Sequence, residues 1–243
     1  MESKKLLVCD YDGSYCLDKN DDCMENNFSI NKFIELGNVF MISTGRSFED
    51  FVGEFIKKSI PGQYFCCCNG NAVFDNKMRL LRFKTIKLEK LKELKKYSSD
   101  IEWIDFYDSY GIEDRRNIVE CKLRYKNINV KDKILRFIND SGYFTYYHQI
   151  DDSLLLHLFD SDDKKIGSIE YVSDTEKINK KNIFVYGDGY NDIDMIKTYN
   201  GFAFSKSKDI IKKYSLGMFD SVSELSKRII DNEVPIRWKR YIR

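Results

Sequence analysis

The chain of 243 residues carries 40 Lys+Arg against 39 Asp+Glu, and this balance gives no general electrostatic drive toward nucleic acid or an anionic membrane. No stretch approaches the ~20 apolar residues of a membrane span. Residues 1–10 run into a strand pattern without signal-peptide organisation, so a soluble, cytoplasmic protein is expected. The length fits a large single domain or a core with an insert. The seven cysteines are an odd number, and Cys9, Cys66, Cys67, Cys68 and Cys121 fall inside apolar strand patterns. They read as reduced thiols packed as small hydrophobes, since no pair has convincing ligand spacing.

Leu6-Leu7-Val8-Cys9 reads as a buried parallel strand over 5–10, ending in Asp10-x-Asp12-Gly13-Ser14. Carboxylates at the C-terminal end of such a strand stand where open α/β sheets bind ligands. A polar loop with Asp18, Asp21 and Asp22 comes next. The pattern then predicts a helix near 29–36, a strand at 38–44, a helix at 47–58 and a strand at 64–68. Residues 71–84 read as a hairpin turning at Asp75-Asn76. Strand–helix alternation of this kind makes a parallel sheet covered by helices.

The pattern changes near residue 85. Leu88 to Tyr97 is an amphipathic helix, followed by strands near 101–107 and 116–125, a helix over 130–140, and strands near 143–149 and 153–159. Alternation resumes at Lys165, with a helix to 174, a strand at 182–187, a helix at 191–198, a strand at 201–205 and a helix at 220–231. The expected architecture is α/β: a Rossmann-like parallel-sheet core from 1–84 and 164–243, with an inserted α+β (αββαββ) domain at 85–163. The basic run from Arg237 to Arg243 reads as a solvated terminus.

Within the insert, Val119, Cys121, Leu123 and Tyr125 alternate with Glu120, Lys122 and Arg124, so one face suits packing on the insert's helices. Trp103, Asp105 and Tyr107 share a side, as do Tyr147 and Gln149, and Leu155 and His157. A sheet face mixing aromatics with charges is either the roof of a binding site or a solvated surface.

Four separated segments resemble the motifs of the haloacid dehalogenase-like hydrolases. They are Asp10-Tyr11-Asp12-Gly13-Ser14, Met41-Ile42-Ser43-Thr44-Gly45-Arg46, Lys165 before a helix, and Gly187-Asp188-Gly189-Tyr190-Asn191-Asp192-Ile193-Asp194-Met195. The Thr-Gly-Arg form of the second, with Cys68-Asn69-Gly70-Asn71-Ala72, resembles the Cof-like, type IIB branch, and the insert resembles its cap. Ser14 stands where threonine is commoner, Ile166 where glycine usually comes after the lysine, and Ser205-Lys206-Ser207 where a small-residue and asparagine segment is usual.

The resemblance implies a Mg²⁺-dependent phosphatase of small phosphorylated metabolites, sugar or polyol phosphates, acting through an aspartyl-phosphate. Asp10 is then the nucleophile and Asp12 the acid and base. Mg²⁺ is bound by the Asp10 carboxylate, the Asp12 carbonyl and Asp188, with Asp192 behind them. Thr44, Gly45 and Asn191 hold the phosphate, Asn191 linking it to Lys165, whose charge stabilises nucleophile and transferring group. Arg46, Asn69, Lys122, Arg124 and His157 are candidate substrate contacts. Duller readings stand beside these: Thr44 as a helix N-cap, Arg46 as a loop pin, and Lys164 rather than Lys165 as the inward lysine. A phosphomutase, or a non-catalytic phosphometabolite-binding regulator, uses the same scaffold.

Overall fold

The structure is a computed structural model that describes residues 3–18, 20–86, 89, 99, 101–114, 116–125, 131–140, 143–160 and 164–237. Strand β1 (Leu6–Cys9) is buried on both faces, as its unbroken apolar run requires. Leu7 and Cys9 pack with Phe40, Ile42 and Phe65; Leu6 and Val8 pack with Met41, Ile169 and Val185 on the other side. The next strands are β2 (Val39–Ser43), β3 (Tyr64–Cys67), β4 (Ala72–Asp75) and β5 (Leu80–Phe83). After the insert come β10 (Ile183–Gly187), β11 (Asn200–Phe204) and β12 (Met218–Phe219). Together they form one sheet in the order β12-β11-β10-β1-β2-β3-β4-β5. Its pairs are parallel from β12 through β3, while β3–β4 and β4–β5 are antiparallel. Strand order turns back at β1, so the crevice beyond β1 and β10 is the topological position for a ligand.

Helix α1 (Met24–Glu35) starts five residues earlier than the apolar pattern predicts. Its first two turns bury Asn26 and Ser29, which a hydrophobic periodicity does not register. Both are satisfied: Asn26 Nδ2 donates to Tyr15 O at 2.7 Å, and Ser29 Oγ meets Ser223 Oγ at 2.7 Å. Helix α2 (Phe48–Lys58) starts as expected, with Ser47 Oγ accepting from Asp50 N.

The insert builds a separate antiparallel sheet from β6 (Ile101–Tyr107), β7 (Glu120–Tyr125), β8 (Tyr143–Ile150) and β9 (Ser153–Asp160), in the order β6-β7-β9-β8. Helix α3 (Lys131–Asp140) lays Ile134 and Ile138 on Cys121, Leu123, Tyr125, Leu154, Leu156 and Leu158. Of the helix expected at 88–97 only residue 89 is described, and of the basic tail only Arg237; the rest lies outside the described residues. Contrary to a solvated terminus, the Arg237 guanidinium donates to Tyr199 O at 2.9 Å, Ile196 O at 3.0 Å and Tyr214 O at 3.1 Å. Two expectations about this sheet are corrected. Val119 packs with Phe51, Phe65 and Phe74 of the large core rather than under the insert's helices. Tyr147 and Gln149 stand opposite Leu156 and Leu154, on the helix-covered face; Tyr146 and His148 are the positions opposite His157 and Leu155. Alternation alone left this register open, because β8 carries aromatics at both parities.

Beyond the insert run α4 (Lys164–Thr175), α5 (Ile193–Thr198), the short α6 (Asp209–Lys212) and α7 (Val222–Ile230). The four-residue α6 and two-residue β12 were not anticipated, being too short for a periodic signal. The predicted 191–198 helix is a 3₁₀ turn at Tyr190–Asp192 followed by α5.

The end of α4 gives a pH test of stability. Glu176 accepts from Lys4 Nζ and from Tyr64 Oη, each at 2.5 Å. Burial alone would raise this carboxyl, but Lys4 and Tyr64 outweigh it and hold it below its ordinary value. Its contribution is therefore present above the unfolded-state pKa of about 4.3 and is lost as pH falls through the lower folded-state value. Solvent screening limits it to about 1 kcal/mol or less. Glu176→Gln is expected to lower Tm at pH 7 and to leave Tm at pH 3 close to wild type, as read by thermal melts at the two pH values.

Candidate active site

The turn after β1 brings the first carboxylates into the crevice. Asp10 N donates to Tyr186 O at 2.9 Å, extending the β1–β10 pairing by one residue. The chain then folds back, with Gly13 N on Cys16 O at 2.9 Å and Cys16 N on Tyr11 O at 2.9 Å. Gly13 has φ +79°, and a Cβ there would stand 2.5 Å from Asp188 Oδ2, so only glycine lets the two strand ends approach.

Three carboxylates converge from two strand ends: Asp10 after β1, Asp188 and Asp192 after β10, with one oxygen of each within 4.8 Å of the others. Lys165, in the first turn of α4 and 2% exposed, lies between them. Its Nζ donates to Asp10 Oδ1 at 2.5 Å and to Asp192 Oδ1 at 2.7 Å. Lys164 turns outward to Asp194 at 2.7 Å, so the inward lysine is Lys165. Asp192 Oδ2 accepts from Asp188 N at 3.1 Å and Gly189 N at 2.9 Å, and Ser14 Oγ donates to Asp188 Oδ1 at 2.7 Å. Both oxygens of Asp192 are thus held by protein donors.

The charges do not cancel. Burial, then the Asp192 charge, push Asp10 well above the usual carboxylate range against the pull of Lys165. Burial and Asp192 also raise Asp188, opposed by the Ser14 hydrogen bond. Burial acts to lower Lys165, but the charges of Asp10 and Asp192 overcome it and keep the ammonium protonated. A sulfur-free donor set with surplus negative charge fits a hard divalent cation, and Asp10 and Asp188 have the oxygens to hold one.

Asp12 stands apart from this cluster, its side chain 56% exposed. Arg46 grips it with two bonds, Nε to Oδ2 at 2.8 Å and Nη2 to Oδ1 at 2.6 Å, and also reaches Asp50 O at 3.3 Å. Thr44 follows β2 and is buried, its Oγ1 accepting from Arg46 N at 3.1 Å. Gly45 lies against the Asn69 amide. Asn69 sits in a left-handed turn (φ 53°) after β3, with Oδ1 accepting from Asn191 Nδ2 at 2.9 Å while its buried Nδ2 has no partner. Asn191 therefore joins Asn69, not Lys165 as expected. A Cβ on the adjoining Gly70 (φ +114°) would overlap Lys164 O at 1.8 Å, which fixes this turn against the start of α4.

The insert sheet meets the core near the same loops. Tyr110 meets Phe48 and Phe74 edge to face with centroids at 5.2 and 5.4 Å, and Lys84 lies 3.2 Å from Asp160. On β7 and β9, His157 Nδ1 is 2.6 Å from Glu120 Oε1, and Lys122 Nζ is 3.9 Å from Glu120 Oε2 and 4.7 Å from the Tyr107 ring centre. Arg124 is engaged elsewhere, 3.3 Å from Glu102 and donating to Ser153 Oγ at 3.2 Å. Glu120 was missed as a site candidate. Alternation placed it on the polar face, but only the fold shows it 1% exposed with Oε2 lacking a hydrogen bond.

Paired carboxylates at the end of a central parallel strand, a buried lysine entering from a later helix and a lid-sized second sheet define a hydrolase class. The chain belongs to the haloacid dehalogenase-like hydrolases, whose family model matches residues 7–145 and 112–226. A search of the curated proteins finds no match. Among solved structures, a phosphatase of the haloalkanoate (HAD) superfamily from Bacteroides thetaiotaomicron is 17% identical with TM-score 0.75, covering 94% of this chain and 95% of its own. A haloacid dehalogenase-like hydrolase from the same organism is 18% identical with TM-score 0.71, over 93% and 100% of the two chains. A sugar phosphatase of HAD subclass IIB is 14% identical with TM-score 0.68, over 93% and 98%. The fold is that of the type IIB branch. Among the described residues, no helix is long and apolar enough to cross a membrane.

Proposed function

We propose that the protein is a Mg²⁺-dependent phosphatase of small phosphorylated metabolites, sugar or polyol phosphates, working through an aspartyl-phosphate. The observation that carries this reading is Lys165 bridging Asp10 and Asp192 while Asp188 stands across from Asp10. Asp10 and Asp188, with the Asp12 carbonyl, would hold the cation, and Asp192 orients these residues through Lys165 and the backbone of Asp188 and Gly189. When bound, Mg²⁺ offsets the repulsion between an attacking carboxylate and a phosphate dianion.

The chain's own groups do the rest. Asp10 attacks phosphorus in line with the leaving oxygen. Lys165 keeps Asp10 aimed and faces the equatorial oxygens. The Asn69 amide, the Thr44 hydroxyl and the Gly45 N–H receive another phosphoryl oxygen, with Asn191 holding Asn69 in its rotamer. Asp12 protonates the leaving oxygen and then takes a proton from the water that opens the intermediate. Both Asp12 oxygens are held by Arg46 here, so substrate entry moves Arg46 off Asp12 and onto the leaving group. A phosphate-release screen over sugar, polyol and nucleotide phosphates tests the reading. Activity is expected with Mg²⁺, is lost in excess EDTA and returns on adding Mg²⁺; full activity in EDTA counts against it.

We take residues 85–163 as the cap that covers the leaving group and excludes water. Its substrate contacts are Glu120, Lys122 and His157, whereas Arg124, turned to Glu102 and Ser153, is not one. Lys122→Ala is expected to change preference among sugar phosphates by about 5–150-fold in kcat/KM, the 1–3 kcal/mol of a charge-assisted hydrogen bond, with p-nitrophenyl phosphate little affected. Arg124→Ala is expected to leave that preference unchanged. Equal losses on every substrate would point to damaged folding instead.

A further inference from the structure

The loop between Tyr15 and α1 holds a second cluster that hydrolysis does not use. Cys16, Asp21 and Cys23 each place a side-chain sulfur or oxygen within 4.8 Å of the other two. Lys58, in the last turn of α2, sets Nζ 2.8 Å from Cys16 Sγ and 3.1 Å from Glu54 Oε2. Both thiols and the lysine are buried, while Leu17, Asp18, Asn20 and Asp22 around them are exposed. A metal fits poorly here. Asp21 already accepts from Leu17 N at 3.0 Å and Cys23 N at 2.8 Å, and an ammonium stands on the sulfur a cation would need.

We propose that Cys16 and Cys23 form a reversible disulfide that switches the neighbouring site, with Cys16 oxidised first and Cys23 closing the bond. The Lys58 ammonium stands 2.8 Å from Cys16 Sγ, placed to stabilise the hydroxide that leaves a peroxide attacked by that sulfur. Cys23 Sγ lies within 4.8 Å of Cys16 Sγ, close enough to take the second step. Cys16 sulfur attacks one oxygen of hydrogen peroxide, the O–O bond breaks, and the departing hydroxide leaves as water with the Cys16 proton, giving a sulfenic acid. Cys23 sulfur then attacks Cys16 sulfur, and the hydroxyl departs as water with the Cys23 proton. Two thiols lose two electrons and two protons, and the peroxide becomes two waters.

The loop couples this chemistry to the crevice. Cys16 O accepts from Gly13 N, Cys16 N donates to Tyr11 O, and Asp12 and Cys16 form a β-bridge. Drawing the two sulfurs to bonding distance pulls Cys16 from Lys58 and shifts the turn that aims Asp10 and Asp12. Displacements on this scale cost about tenfold or more in turnover.

The test treats the full-length protein with hydrogen peroxide, alkylates it after denaturation and maps peptides by mass spectrometry. Two of the seven thiols should be lost, in a Cys16–Cys23 linked peptide two hydrogens lighter. Hydrolysis of p-nitrophenyl phosphate should fall about tenfold or more and return with dithiothreitol. Cys23→Ser should keep the reduced activity, form no link and trap a dimedone-reactive sulfenic acid at Cys16. Survival of all seven thiols, a link between other cysteines, or stoichiometric zinc that shields both thiols overturns the proposal. A Cys16–Cys23 bond without loss of activity overturns the switch. The activity arm rests on the phosphatase reading; thiol counting needs no substrate, so the two failures are distinguishable.

Discussion

Asp10→Asn is expected to lower phosphatase turnover by about 10⁴–10⁶-fold, the range seen when a covalent nucleophile is removed. The substitution keeps the size of a side chain that is 6% exposed and removes the charge that, in the proposed mechanism, attacks phosphorus. Its effect on stability has the opposite sign. Burial and Asp192 hold the Asp10 carboxyl well above its ordinary range, so ionised Asp10 costs folding free energy at neutral pH. Thermal melts should therefore give Asp10→Asn a Tm equal to or above wild type, the pattern of an active site that trades stability for chemistry. A large loss of Tm would mean that inactivity reflected unfolding.

Lys165→Met is expected to damage both properties. Its ammonium is the shared partner of Asp10 and Asp192, at 2.5 and 2.7 Å, in a site where all three side chains are nearly excluded from water. Taking one partner from a buried ionic set leaves uncompensated charge and costs about 3–5 kcal/mol. Turnover should fall by about 10²-fold or more with the loss of the positive group proposed to face the transferring phosphoryl. Denaturant melts of the double variant Asp10→Asn/Lys165→Met separate this from a packing defect. With one carboxylate neutralised, the double variant should be more stable than Lys165→Met alone. Equal destabilisation in both backgrounds would show that packing of the lysine stem, not charge, is what is lost.

The parallel core was legible in the sequence because β1, β2, β3 and β10 are largely apolar runs bounded by turn or cap residues. The carboxylates were legible for a related reason: a strand such as β1 has one C-terminal end, and the residues just beyond that end enter the crevice. The features that stayed hidden were set by partners distant in sequence. The first turns of α1 escaped because Asn26 and Ser29 satisfy their polar atoms on Tyr15 and Ser223. The partner of Asn191 depends on a left-handed Asn69 held by another strand. Glu120 and Arg124 share the same alternation, yet one is buried beside His157 and the other turns to Glu102. Strand parity gives a face, and only the assembled sheet gives a neighbour.

Covalent transfer to Asp10 is the centre of the account, and acid-quench trapping reads it directly. In the proposed mechanism Asp12→Asn leaves the nucleophile in place and slows opening of the intermediate, so protein mixed with Mg²⁺ and a sugar phosphate, then quenched in acid, should retain one phosphoryl group. Peptide mass spectrometry should place it on Asp10, and the same experiment on Asp10→Asn should show none. Phosphate released by Asp10→Asn at the wild-type rate, or a phosphoryl group on any other residue, would contradict the account.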